Sequence, residues 1–192
     1  MVFGSQGLVA TAIGEKMNCI PTNVQGAYII EPAEFGDERG FFSPVYDTKK
    51  FAEKGLCTSF TRMNCSLSVD KGTLRGMHYQ PTPYQEVKFL RVIRGSVWDV
   101  ALDIRAKSPT FGQWHGVELT AKNRRLLYIP AGCAHGFQTL EPNTEVMYLC
   151  SNEYTVQHEK GIMWNDPQFQ IHWPLVPTVI SDKDQKHPLF TK

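Results

Sequence analysis

The sequence predicts a mainly β protein, a small barrel or sandwich with a few short helices. Three observations point there. Between residues 72 and 151, short apolar-rich segments follow one another with turn residues between them, the spacing of an antiparallel all-β fold. The segment "SVWDVALDI" (96–104) has a clean period of two, with Trp98, Val100, Leu102 and Ile104 on one face and Val97, Asp99, Ala101 and Asp103 on the other. Only "TKKFAEKGL" (48–56) reads as a helix, with Phe51 and Ala52 as its apolar side and Gly55 as its stop.

Taken in order, "AYIIEP" (27–32) is a short strand ended by Pro32, "GDERGFF" (36–42) a charged turn, and 58–69 an alternating strand containing Phe60, Met63, Cys65 and Leu67. "KFLRVI" runs through the Gly95 turn into the strand at 96–104. "SPTFGQW" is a loop, "HGVELT" a strand, "AKNRR" a turn and "LLYIP" a strand; "AGCAHGFQTL" and "TEVMYLCS" follow as two more. From residue 155 the chain is rich in aromatics and proline, which predicts irregular packing against the barrel.

With 192 residues, 42% hydrophobic and 20% charged, the chain suits one ordinary core. Residues 1–16 are small and weakly apolar and read as a loose extension, leaving 17–192 as a single domain. They lack the basic start and strong apolar middle of a signal peptide. The net charge of +1 gives no global field for nucleic acid or an anionic membrane, so anion recognition must be local. Five scattered cysteines without a CxxC pair argue against a zinc knuckle or a disulfide frame, and reduced thiols in the cytoplasm are expected.

Two short patterns carry chemistry. "PAGCAH" (130–135) has the form P-x-G-x-x-H, and Gly72 to His78 has the form G-x5-H. These are halves of the two cupin motifs, so the expected fold is a cupin-type double-stranded β-barrel, or jelly roll. Metal-binding cupins present H-x-H, a glutamate and a further histidine. Here Gln80 stands where the second histidine would be, and an amide is a weak ligand. A metal set of His78, Glu86 and His135 is the alternative this leaves open.

Longer segments bear a closer likeness. "GDERGFF", "LRGMHYQ", "VKFLRVIRGSVWDVALDIRAKSPTFGQW", "VELTAKNRRLLYIPAGCAHGFQTL", "EVMYLCS" and "GIMWNDPQFQIHWPL" occur in order between about Cys19 and Asp184. Together they resemble the dTDP-4-dehydrorhamnose 3,5-epimerase family. The resemblance implies a cofactor-free, metal-free isomerase that inverts carbons beside the ketone of a nucleotide-linked 4-keto-6-deoxy sugar. It also implies a homodimer that exchanges N-terminal strands, with no role for nucleic acid or membrane.

Such a reaction needs a base for the α hydrogen, fixed positive charge or donors for the enolate oxygen, and a proton donor on the opposite face. The resemblance assigns the base to His78, its carboxylate partner to Asp184 of "SDKD", and the donor to Tyr148. By composition alone Asp182 would serve as well as Asp184. Lys88 and Arg75 fall near the sugar carbonyl, and His135 near the enolate or the phosphates. Arg39 falls on a diphosphate-binding arginine that reaches in from the exchanged segment, while Phe42 and Asn64 join the substrate-binding set. Two departures, Leu149 where many members have lysine and "QEVK" where many have "QGK" before the lysine, mark a subgroup and bear on which sugar is bound.

"TLRGMHYQ" (73–80) sets a geometric test. Strict alternation puts His78 and Gln80 on one strand face and Arg75 on the other. Both Arg75 and His78 can face one pocket only if the strand bulges, and Gly76 lies between them.

Overall fold

The computed structural model describes residues 11–12 and 16–191. The expected loose extension over 1–16 therefore lies almost wholly outside the described residues, apart from a two-residue strand and Lys16. In chain order the strands are β1 Thr11–Ala12, β2 Asn18–Pro21, β3 Tyr28–Glu31, β4 Phe35–Asp37, β5 Gly40–Phe42, β6 Arg62–Ser68, β7 Thr73–Tyr79, β8 Lys88–Arg94 and β9 Ser96–Asp103. They continue as β10 Trp114–Thr120, β11 Leu126–Ile129, β12 Cys133–Thr139, β13 Thr144–Cys150, β14 Lys160–Gly161 and β15 Val179–Ile180. One α-helix, α1 Thr48–Glu53, and one 3-10 turn, Asp184–Lys186, complete the described elements. None of these helices is long and apolar enough to cross a membrane.

The strands form two large sheets, β10-β9-β12-β7-β14 and β2-β3-β11-β8-β13-β6, plus a small one of β1-β4-β5. Alternation decides what each face buries. On β9, Val97 and Ala101 point into the core between the sheets, where they meet Leu90, Val92, Leu127, Ile129, Phe137 and Val146. Val100 and Leu102 point the other way, against Ile162, Phe169 and Ile171 of the C-terminal segment. The aromatic tail thus covers the outer face of one sheet, which is why β9 is apolar on both sides. The result is the two-sheet jelly roll of a cupin-type barrel.

The outer face of the second sheet is half covered. Phe51 of α1 is fully buried, with its ring centroid 5.1 Å from that of Phe89. The helix starts at Asp47, whose side chain accepts from Lys50 N at 3.0 Å, satisfying one of the free donors of the first turn. Beyond the helix the same face is bare: Met63 is 65% exposed and Leu67 50%.

Residues 36–42, expected as a turn, are a hairpin of β4 and β5 around the turn at 38–39. The segment is too short and polar to display a strand period, and cross-strand pairing makes it extended.

The bulge at Gly76 is present. Against β12, His78 pairs with His135 and Arg75 pairs with Phe137, so three steps on β7 match two on β12. Gly76 adopts φ +120° and its bond to Met77 is cis. The strands cross so closely here that a Cβ on Gly76 would stand 2.6 Å from Gly136 Cα and 2.8 Å from the His135 carbonyl oxygen.

Candidate active site

A cavity of about 550 Å³ opens between the two large sheets, a size suited to a small-molecule ligand. Its walls include His78, Arg75 and Asp184 on one side, Asn64, Lys88 and Tyr148 on the other, and His135 beneath. Seven of the nine residues assigned from the sequence therefore meet in one place. Arg39 and Phe42 do not line it. They sit on the β4–β5 hairpin, where the Arg39 side chain is 85% exposed and pairs with Asp37.

The C-terminal segment brings a carboxylate to His78. β15 runs parallel to β7, with Val179 beside Thr73 and Ile180 beside Leu74. This carries the following "SDKD" turn past the bulge. Asp184 Oδ2 accepts from Gly76 N at 3.0 Å, and Oδ1 lies 2.8 Å from His78 Nε2. Asp182 is exposed, whereas Asp184 is buried against His78. Burial pushes the Asp184 carboxyl up, but the His78 hydrogen bond and charge and the Gly76 N–H outweigh it and leave the pKa lowered. Asp184 is thus ionised at neutral pH.

Tyr148 stands on β13 in the opposite sheet. Burial raises the pKa of its phenol, so it holds its proton at neutral pH and can donate it. At the open end of the cavity Arg75 is exposed, with its guanidinium tied to Ser68 Oγ at 3.1 Å and to the Leu67 carbonyl at 3.0 Å. The bulge thus turns Arg75 across the mouth toward β6 while His78 lies deeper. His135 Nε2 is 3.0 Å from Asp99 Oδ1, and Asp99 is fully buried.

Several cavity residues escaped the sequence reading. Arg62 donates to Glu86, whose other oxygen lies 3.6 Å from Lys88 Nζ. Tyr154 donates to Glu159 at 2.7 Å, and Lys183 pairs with the same carboxylate. Lys183 adjoins Asp184 in "SDKD", a signal that was readable. Tyr154 and Glu159 lie in an aperiodic loop that offered none. His187, buried beside Asp184, is three residues downstream.

Removing one member of a buried ion pair strands the others. Glu86→Gln would leave Arg62 and Lys88 as neighbouring cations without their shared anion. The variant is expected to lose about 2 kcal/mol in urea unfolding, less than a fully buried pair would because Arg62 keeps contact with water. The double change Arg62→Gln/Glu86→Gln should lose less than Glu86→Gln alone. Equal midpoints for wild type and Glu86→Gln would refute this.

The metal set considered from sequence does not assemble. Glu86 is held by Arg62 and Lys88, and His135 by Asp99. Among the described residues, the group of three whose ligand atoms converge is His78, Asp184 and His187, all within 4.8 Å of one another. The cysteines are free, and burial pushes the Cys150 thiol, at the end of β13, up to about 11, so no thiolate nucleophile is offered there.

Of the two departures, only one reaches the cavity. Leu149 points to the outer face and packs with Phe89 and Phe51, so it does not line the cavity. Glu86 does line the cavity.

Comparisons with known proteins agree with this geometry. The sequence profile of the dTDP-4-dehydrorhamnose 3,5-epimerase family matches residues 21–192. The chain is 47% identical over 169 residues to dTDP-4-dehydrorhamnose 3,5-epimerase of Shigella flexneri, covering 88% of this chain and 93% of that one. It is 45% identical over 177 residues to the Salmonella typhimurium enzyme of the same name, covering 91% and 96%. The Bacillus anthracis structure with TDP and PPi bound superposes with a TM-score of 0.88 at 44% identity, covering 91% of this chain and 99% of that one. The Legionella pneumophila epimerase in complex with dTDP-4-keto-L-rhamnose gives a TM-score of 0.85 at 43% identity, covering 90% and 92%. With its jelly roll, its histidine–aspartate pair and its facing tyrosine, this chain belongs to the dTDP-4-dehydrorhamnose 3,5-epimerase family.

Proposed function

We propose that this isomerase inverts C3 and C5 of dTDP-4-dehydro-6-deoxy-D-glucose, giving dTDP-4-dehydro-L-rhamnose. The observation that carries the reading is a base with a carboxylate partner on one sheet and a protonated phenol on the other, both facing one cavity. Asp184 on Nε2 fixes the His78 tautomer and leaves Nδ1 as the nitrogen that takes the α proton. The carbonyl oxygen becomes an enolate as that proton leaves, and the Lys88 ammonium stabilises it. Tyr148 then returns a proton on the opposite face. Arg75 at the mouth suits the diphosphate through its paired donors, with Asn64 and His135 completing the contacts. The nucleotide and sugar follow the relatives, which include a complex with dTDP-4-keto-L-rhamnose.

The test is deuterium wash-in from D₂O into the sugar, resolved by carbon. Exchange at both C3 and C5 is the expected result. Exchange at one carbon would make this a single-centre epimerase, as the 3'-monoepimerase of Streptomyces bikiniensis at 32% identity is. No exchange at either carbon would refute the assignment.

The reading extends to a homodimer. Met63 and Leu67 are exposed on the outer face of β6, and Phe41 and Phe42 are 54% and 67% exposed on the hairpin. These apolar groups call for a cover. A second copy of the chain would supply it, and exchanged hairpins would bring Arg39 and Phe42 to the partner's cavity. Light scattering should return the mass of two chains, and a monomer at micromolar concentration would exclude the arrangement.

A further inference from the structure

We propose that His78, Asp184 and His187 form a Zn²⁺ site whose occupation switches the enzyme off. The inhibitory half rests on His78 being the base, as proposed above; the binding half does not.

Three ligand atoms converge. Asp184 Oδ1 is 2.8 Å from His78 Nε2 and 3.3 Å from His187 Nε2, and all three atoms lie within 4.8 Å of one another. Ligands of tetrahedral zinc with bonds of about 2.1 Å stand about 3.4 Å apart, so the cluster needs to move by little more than an ångström. The set of two imidazoles and one carboxylate is a zinc set.

The second observation is His187 itself. Its side chain is 8% exposed, yet Nε2 is buried with no hydrogen-bond partner. At 3.3 Å from Asp184 it is near enough to feel the charge but not aligned to donate. Its ring packs edge to face against His78, with centroids 5.5 Å apart, and lies against Gly161, where any Cβ would collide with it. The bland use of a buried imidazole, a satisfied hydrogen bond through this nitrogen, is therefore missing. A cation between the three atoms would satisfy Nε2 of both rings and the carboxylate together.

The consequence for the base is a matter of proton count. A neutral imidazole that coordinates through Nε2 carries its single proton on Nδ1. Zinc on His78 Nε2 therefore moves the ring proton to the nitrogen that must accept the α hydrogen. The ring stays neutral, and catalysis stops without the cavity being filled. His187 takes no part in the proposed proton transfers.

The experiment uses metal-stripped protein and ZnCl₂ in calorimetry at pH 7.5, with deuterium wash-in followed in parallel. Wild type is expected to bind one Zn²⁺ per chain at micromolar concentration, to lose wash-in at the same concentration, and to recover it with chelator. His187→Asn and His187→Gln should each bind Zn²⁺ at least about 30-fold more weakly, since an amide is a poor ligand, with a matching rise in the inhibitory concentration. Co²⁺ should give the visible absorption of a tetrahedral site in wild type and lose it in both variants. Undetectable binding by wild type, or equal affinity in wild type and both His187 variants, would overturn the site. Binding at this site without inhibition of an active enzyme would overturn the inhibitory half. Absence of wash-in from the metal-free wild type would count against the proposed reaction and leave the calorimetric result standing.

Discussion

His78→Ala is expected to lower the rate of deuterium wash-in by about a thousandfold, the scale of losing a positioned general base, with little change in affinity for dTDP. In the proposed reaction His78 acts on the sugar carbon and not on the nucleotide. The effect should therefore appear in kcat rather than KM. Asp184→Asn tests the dyad separately. The asparagine amide can present N–H to Nε2, which would drive the ring proton to Nδ1 and block the base. A loss of at least about a hundredfold is expected, with an unchanged melting curve showing that the barrel persists. An Asp184→Asn enzyme within tenfold of wild type would mean that the 2.8 Å contact is structural only.

Gly76→Ala is expected to be strongly destabilising. The added carbon would stand 2.6 Å from Gly136 Cα and 2.8 Å from the His135 carbonyl oxygen, both backbone positions that side-chain rotation cannot relieve. A φ of +120° is in addition closed to L side chains. A loss of about 3 kcal/mol or more in urea unfolding is expected. Wash-in should fall as well, because Arg75 and His78 flank the bulge and the Gly76 N–H holds Asp184. Gly136→Ala approaches the same crossing from the other strand. There a Cβ would meet Met77 Sδ at 2.7 Å and the Arg75 carbonyl oxygen at 2.9 Å, but Gly136 is not among the positive-φ glycines, so the loss should be smaller. A Gly76→Ala protein within about 1 kcal/mol of wild type would show that the strands can part without cost.

The strands between 72 and 151 were legible because each buries a face, and burial writes a period of two into the sequence. β9 shows it most plainly, with Val97 and Ala101 inside and Val100 and Leu102 under the tail. The bulge was legible for the opposite reason: Arg75 and His78 could not share a pocket under strict alternation, and a glycine lay between them. The β4–β5 hairpin was hidden because three residues per strand are too few to show a period. His78, Tyr148 and Asp184 could be placed by resemblance, yet what surrounds them could not. The Arg62–Glu86–Lys88 cluster joins β6 to the loop before β8 and its first residue, Glu159 comes from an aperiodic loop, and His187 stands apart from every motif. Each is a contact made in space, with no trace in local spacing. Leu149 shows the converse error, since a change that looked relevant to substrate lies on the outside of the sheet.

The parallel strap of β15 on β7 has one more consequence. With the Gly76 N–H, it helps keep Asp184 beside His78, 106 residues away in sequence, and the strand pairing itself is only two residues long. Short exposed pairings open far more often than the core strands of a barrel. On the proposed roles of His78 and Asp184, mild denaturant should silence the enzyme while its sheets are still intact.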